Sequence, residues 1–311
     1  MKAIVTGGLG FIGSHVVDHL LHDGFEVLVL DNFFSGRDRW EGTAIRPDIR
    51  GVDIRAREQV QEAFRSFKPE VVFHMAAHHY IPYCEANPIE AYDLNVTGTL
   101  NVLAAGFESG IQRLFFASTA DVYAPSPRAH REDDAIGPFT TYGRTKLIGE
   151  QLCRDALNWG RQTNVLVGRI FNAVGKRETN PHLVPEVVKQ IARGVSELRL
   201  GNLFPTRDFV DVDTQARAIV DATLRVEGIE TCNIGSGVAI SVREMVDIAI
   251  DAAGRPVTVG TDPAKMRAAE RNNLCADVSR LRTLIGFAPR PAGKDSICAI
   301  LAEETSQLQL S

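Results

Sequence analysis

The sequence predicts an α/β protein, a doubly wound parallel sheet with a smaller C-terminal α/β lobe. Two observations lead there. Along the first 172 residues, short apolar runs rich in β-branched residues alternate with amphipathic stretches. Strands buried on both faces and joined by crossover helices read that way. A run of glycines, Gly7, Gly10 and Gly13, also falls between the first strand and the first helix. Glycine has the most backbone freedom to lose on folding, so only a backbone requirement explains three of them there.

Taken in order, KAIVT at 2–6 is the first buried strand. The stretch 11–24 puts Ile12, Val16, Leu20 and Leu21 on one helical face and stops at Gly24, a residue suited to follow a helix end. FEVLVLDN at 25–32 and PEVVFHMAA at 69–77 are further strands. A long helix opens at Pro88 and closes at Gly110, then come a strand at 112–119, a helix at 141–160 and a strand at 163–172. Beyond 172 the pattern loosens: prolines at 181, 185 and 205 interrupt it, short strands appear at 198–202, 207–212 and 231–235, and three more helices follow. The division expected is 1–172 as the large domain, with 206–230 returning to it, and 173–205 plus 231–311 as a substrate lobe.

The net charge of −5 leaves no basic excess for neutralising phosphates, which argues against a nucleic-acid or membrane-surface role. Five scattered cysteines, without C-x-x-C spacing, suit free thiols in a reducing compartment. With no apolar run of membrane-spanning length and no signal peptide, a cytoplasmic protein is expected.

Strand, then T-G-G-x-G-F-I-G, then helix is the setting that makes a glycine motif informative, and it opens a Rossmann-type fold. Gly7 allows a tight turn, Gly10 lets a pyrophosphate reach the backbone, and Gly13 lets helix and strand pack closely. Asp31 ends the second strand, where a carboxylate accepts both hydroxyls of an adenosine ribose and repels a 2′-phosphate. NAD is therefore expected over NADP, although Arg37 nearby keeps the second open. Downstream, Tyr142 and Lys146 stand four apart on one helical face. An ammonium and a positive nicotinamide ring beside a phenol would lower its pKa toward that of a usable base. Ser118 and Thr119 at the preceding strand end offer hydroxyls to bridge substrate and tyrosine. A Y-x-x-x-K pair alone says little; after a glycine loop and strand-end hydroxyls, in that order, it says much more.

With these motifs, and with HMAA at 74–77, NVTGT at 95–99, RIFNAVG at 169–175, HLVP at 182–185, RDFVDVD at 207–213 and NIGSG at 233–237, the chain resembles the extended short-chain dehydrogenase/reductases. The resemblance is to their NAD-dependent nucleotide-sugar epimerase/dehydratase group and runs along nearly the whole length. It implies that Gly7, Gly10, Phe11, Ile12, Asp31 and Asn32 hold the cofactor, that Asp53 and Ile54 meet the adenine, and that Ala76 and Ala77 line the groove. Ser118, Tyr142 and Lys146 would complete the cofactor site, with Tyr142 the base, Lys146 its partner and Thr119 the bridging hydroxyl. Asn172, His182, Leu183 and Leu200 would hold substrate, and Arg207 and Arg271 would clamp its diphosphate. From the residues alone, Asp53 also suits a helix cap, Arg207 and Arg271 suit surface ion pairs, and Asn95 suits helix packing.

His79, Tyr80 and Tyr83 lie in a stretch unlike that of relatives and point to unusual sugar contacts, and Arg177 suits a carboxylate on the sugar. His74, His78 and His79 look like a metal cluster but share a strand end in the cofactor groove, and no metal is expected. The resemblance implies a 4-keto intermediate. It also implies that family dehydratases carry Asp-Glu where this chain has Ala120 and Asp121. A methyl cannot protonate a leaving hydroxyl, so a UDP-hexose or UDP-uronic acid 4-epimerase is expected, with a dehydratase or decarboxylase using Asp121 as the alternative. A carbonyl reductase would use the same Tyr142, Lys146 and Thr119 without needing the two arginines. A homodimer built on helices 88–109 and 142–159 follows from the family, with Leu147, Ile148 and Leu152 facing either the partner or the sheet.

Overall fold

The computed structural model describes residues 1–155, 163–265 and 271–310. In chain order the first half holds β1 (Lys2–Thr6), α1 (Phe11–His22), β2 (Glu26–Asp31), β3 (Asp48–Gly51), α2 (Arg57–Phe67) and β4 (Val71–His74). Then come α3 (Ile81–Ala86), α4 (Pro88–Tyr92), α5 (Thr99–Ser109), β5 (Arg113–Thr119), α6 (Thr141–Asp155) and β6 (Asn164–Ile170). The second half runs β7 (Asn172–Val174), α7 (Leu183–Ala192), β8 (Glu197–Leu200), β9 (Thr206–Asp211), α8 (Val212–Arg225) and β10 (Ile229–Ile234). It ends with β11 (Ala239–Ser241), α9 (Val242–Ala253), β12 (Thr258–Thr261), β13 (Asn273–Leu274), α10 (Ser279–Ile285) and α11 (Lys294–Leu310).

Seven strands form one parallel sheet in the order β10-β6-β5-β4-β1-β2-β3. Their sequences require cover on both faces. In β1, Ala3 and Val5 enter the layer beneath α1 and α8 while Ile4 enters the layer beneath α2 and α5, and all three are fully buried. Val27 and Val29 against Leu28 and Leu30 repeat this in β2. Strand order reverses direction between β1 and β4, and ligands of such sheets bind at that point, beyond the carboxyl ends. Gly24 takes φ +79° just past α1 and Gly110 takes φ +77° past α5, the left-handed conformation expected after a helix.

The smaller lobe is built on β7, β9, β11 and β13, a separate β8–β12 pair, and the apolar layer shared by α7, α9 and α11. Its boundaries differ from those expected. Residues 206–211 form β9 of the small sheet, whereas β10 is the seventh strand of the large one. The chain therefore re-enters the large domain at α8 and leaves after Ile234, and Leu281 and Ile285 of α10 return to pack there. Short apolar runs carry no signal of which sheet will pair with them. The helix expected at 88–110 holds, with one wide turn of π-helix at Asp93–Gly98 between α4 and α5. Of the helix expected to 160, residues 156–160 lie outside the described residues. Leu147 and Leu152 pack within the chain, against the clusters around Tyr123 and around Phe116.

One buried ion pair sets α6 against the sheet. Glu150 is fully buried and receives Arg169 of β6 through Nε at 2.9 Å and Nη2 at 2.8 Å. Ser118 of β5 donates its hydroxyl to the same carboxylate at 2.5 Å. Removing one member of such a pair strands the other charge in low dielectric. Glu150→Ala is expected to lower unfolding free energy by about 3–5 kcal/mol, read as a lower urea midpoint at unchanged m-value.

Candidate active site

The glycine loop is strained in the way the motif requires. Gly7 has φ +66°, and a Cβ there would stand 2.7 Å from the Ala76 Cα, so the loops after β1 and β4 meet through bare backbone. A Cβ on Gly13 would collide with the Gly7 carbonyl. Gly10 precedes α1 without a capping side chain, which leaves the helix N-terminus open to an anion. Asp31 accepts the Leu9 amide at 3.1 Å and the Phe33 amide at 2.9 Å, one on each oxygen, and the Asn32 amide as well, which leaves the carboxylate acceptor capacity for a ribose hydroxyl. A dinucleotide therefore fits this cradle.

Asp53 caps no helix, because Ala56 stands at the α2 N-cap. Arg55 grips both its oxygens, at 3.0 and 2.7 Å, and holds the carboxyl down at about 2. Asn32 reaches it at 3.4 Å, and Asn101 ties the Ile54 and Arg55 carbonyls at 3.0 and 3.1 Å. The Ile54 side chain is buried in the large core.

β4 ends at His74, three residues before the run expected, because side chains take over from the ladder. Thr6 Oγ1 accepts the Ala76 amide at 3.3 Å and lies 2.7 Å from His74 Nδ1. His74 Nε2 is 2.9 Å from Thr99 Oγ1, which in turn donates to the Asn95 carbonyl at 2.6 Å. These partners assign the imidazole proton to Nε2, with the Thr6 hydroxyl donating to Nδ1. Burial first, then the charge of Lys146, pushes His74 down to about 3, so the ring is neutral. Asn95 exchanges hydrogen bonds with the His78 backbone at 2.8 and 2.9 Å and donates to Thr145 on α6 at 3.0 Å. The packing residue expected at 95 is a buried bracket between two loops.

On α6, Glu85 caps the first turn through the Thr141 amide at 2.6 Å. Tyr142 faces Thr119, which hydrogen-bonds it and pulls its pKa down, but burial and then Asp121 outweigh that and raise it. In the protein without cofactor Tyr142 is thus held neutral, whereas the sequence expectation draws the lowering from Lys146 together with the positive nicotinamide ring. Lys146 is buried with Nζ 5.0 Å from the Phe116 ring centre, and burial brings its pKa down to about 8. Asp121 lies on a single 3₁₀ turn whose first amide Thr119 caps at 3.2 Å. Arg271 donates to the Asp121 carbonyl at 3.0 Å, approaches its carboxylate at 3.6 Å and stacks on Phe139 at 4.7 Å. Its buried Nε and Nη1 have no hydrogen-bond partner among the described residues, which suits an anion clamp.

Other expected residues divide. His79, Tyr80 and His182 come together, with ring centres 5.7 Å apart for the two histidines and 5.6 Å for Tyr80 and His182. Tyr83 lies apart from them, its hydroxyl on Glu90 at 2.8 Å and its ring against Phe34 and His78. Asn172 is exposed at the start of β7, and Arg207 on β9 donates to the Thr206 carbonyl at 2.8 Å. Leu200 is 4% exposed in the lobe core and Leu183 packs against that core, so the Leu200 side chain offers no platform to a base. Ser118 is taken by Glu150 and turns away from Thr119, because successive strand residues face opposite sides. Arg177 pairs with Asp18 of α1 at 2.6 Å. The three histidines after β4 do not converge: His74 joins the threonines, His78 approaches Glu90 at 3.4 Å and His79 faces Asn180 at 3.1 Å. Glu178, which sequence reasoning missed, joins His79 and His182, and burial raises its carboxyl to about 7. Its only signal was its place in GKRETNPH.

The point where strand order reverses, a glycine cradle with a strand-end carboxylate, and a Tyr142/Lys146/Thr119 set define a dinucleotide-dependent enzyme of the short-chain type. The model of the NAD dependent epimerase/dehydratase family matches residues 3–235, and the chain belongs to that family. It is 30% identical to the UDP-glucose 4-epimerase of Bacillus subtilis (strain 168), over 96% of this chain and 95% of that one. It is 28% identical to the GDP-6-deoxy-D-mannose reductase of Pseudomonas aeruginosa, over 99% and 98% of the two chains. Its fold matches the crystal structure of UDP-glucose-4-epimerase from Stenotrophomonas maltophila with bound NAD and formylated UDP-arabinopyranose, with TM-score 0.92, 26% identity and both chains covered in full.

Keeping Lys146 charged in the dry interior costs stability, roughly 3 kcal/mol for a pKa brought from its ordinary value down to about 8. Lys146→Met, without cofactor, is expected to raise the melting temperature at pH 7 by several degrees. The folded protein loses this proton before the unfolded chain does, so wild-type stability rises with pH through that interval and the advantage of the variant shrinks above about pH 8. Melting curves across pH 7–10 check both statements.

Proposed function

We propose that this protein is an NAD-dependent nucleotide-sugar 4-epimerase acting on a UDP-hexose or UDP-uronic acid. The observation that carries the reading is the convergence of Tyr142, Thr119 and Arg271 around one turn, Ala120–Val122, with Arg271 Nη1 lacking a hydrogen-bond partner among the described residues. The relatives named above, chiefly UDP-glucose 4-epimerases, support the substrate class.

The glycine cradle and Asp31 would hold NAD, which would supply the acceptor and later the donor of a hydride at C4. Tyr142 Oη takes the C4 hydroxyl proton as the C4–H bond breaks, leaving a 4-keto sugar; the same oxygen returns a proton once the other face has been presented. Because burial and Asp121 hold the phenol neutral in the protein alone, the positive charge that readies it comes with the cofactor. Lys146 binds the ribose and adds its charge, while Thr119 Oγ1 fixes the direction of the phenol. Arg207 and Arg271 hold the diphosphate, and the sugar turns about that anchor. An elimination would need an acid at position 120, and Ala120 is a buried methyl.

The protein acts as a homodimer through α4, α5 and α6; exposed Ile89, Tyr92 and Leu100 support that face. It works in the cytoplasm, in keeping with five free cysteines. Among the described residues no helix is long and apolar enough to cross a membrane.

Incubation with a panel of nucleotide sugars and NAD⁺ is expected to yield a product of unchanged mass and new retention time; loss of water or carbon dioxide would overturn the epimerase reading. Tyr142→Phe is expected to lower kcat by about 10³-fold while NAD still binds by calorimetry. Arg271→Met is expected to raise KM for the nucleotide sugar at least tenfold, about the loss of one charge-assisted contact, with NAD affinity unchanged.

A further inference from the structure

We propose that His79, Glu178 and His182 form a binding site for a divalent transition-metal ion of the zinc type, where the segment after β4 meets the segment that leads into α7. One ligand atom from each lies within 4.8 Å of the other two, the one such grouping among the described residues. The set is two imidazoles and a carboxylate, which a borderline ion prefers to calcium or magnesium. Around a tetrahedral zinc, ligand atoms stand roughly 3.4 Å apart, so modest side-chain rotation closes the triangle.

Three details make this more than a chance grouping. The His79 ring hydrogen-bonds the Ala77 backbone through one nitrogen and turns its Nε2 to the Asn180 amide at 3.1 Å. An imidazole oriented by a backbone carbonyl, with its other nitrogen aimed inward, is how ligating histidines are held. Glu178 is anchored from behind, its Oε1 accepting the Thr179 and Asn180 amides at 2.9 Å each. It forms no ion pair within 4.0 Å among the described residues, and the side-chain amide of Asn180 hydrogen-bonds both it and His79. A neutral donor thus sits where two acceptors converge, the place a cation would take. Rotating that amide by half a turn would present its oxygen as a further ligand.

The ligands come from two segments far apart in the chain. His79 follows β4 of the large domain, and Glu178 and His182 lead into α7 of the lobe, His182 at its N-cap. An ion there ties the two segments together. Three protein ligands leave a position for water or a substrate oxygen. The inference does not depend on the epimerase reading, because binding is measured without turnover.

The test uses the full chain, stripped with a chelator and titrated with Zn²⁺ by calorimetry and with Co²⁺ by visible absorption. One equivalent is expected to bind, with the intense bands of four- or five-coordinate cobalt. Glu178→Gln and His182→Gln, each with an unchanged circular dichroism spectrum, are expected to weaken zinc by more than about 100-fold, beyond the loss from an outer-shell change. No stoichiometric binding to the wild type, or equal binding to both variants, would overturn the site. Should a variant fail to fold, the cobalt spectrum of the wild type decides alone: the weak spectrum of hydrated cobalt overturns the proposal.

Discussion

One line of buried hydrogen bonds joins the end of β1 to α6, and the candidate site depends on it. It runs from Thr6 through His74 and Thr99 to Asn95, and from Asn95 to Thr145, the residue before Lys146. Parallel strands that end beyond the sheet leave backbone groups with no ladder partner, and burying those unpaired would cost more than any one bond returns. Here the side chains of Thr6 and Asn95 take the Ala76 and His78 amides. The same bonds that satisfy the loop after β4 set its distance from α6. A neutral His74 is needed for this, and burial keeps it so.

The second constraint is electrostatic. Burial acts on Tyr142 and Lys146 in opposite senses, raising one and lowering the other, so without cofactor both are biased toward their neutral forms. The site is thus costly in the empty enzyme, and the Glu150–Arg169 pair, which anchors the same helix, is part of what holds it in place. Asp121 is drawn into this field from the other side. Arg271 donates to its carbonyl at 3.0 Å and lies 3.6 Å from its carboxylate, so a charge on a distant segment fixes the turn that carries it.

Much of this was legible in sequence. Gly7, Asp31, Tyr142 and Lys146 could be placed because each belongs to a local unit whose spacing carries its geometry: a turn, a strand end, a helical face. What failed to read were contacts between segments far apart in the chain. Tyr83 sits four residues from His79 yet faces Glu90, because α3 turns it to the opposite side. Ser118 and Thr119 are neighbours with opposite fates, since a strand alternates its faces. Glu178 has no periodicity or motif to mark it, and only the approach of the loops after β4 and before α7 makes it notable.

The amino-acid sequence by itself determined the parallel layers, the glycine turn after β1 and the placing of Tyr142 and Lys146 on one helical face, because buried-strand runs, the glycine spacing and Y-x-x-x-K all act over a few residues. Tertiary structure alone decided which sheet receives β9 and β10, which way Tyr83 and Leu200 face, and the protonation states of Tyr142 and Lys146. Those outcomes depend on burial and on charges brought close by distant segments, and neither is encoded in the spacing of neighbours.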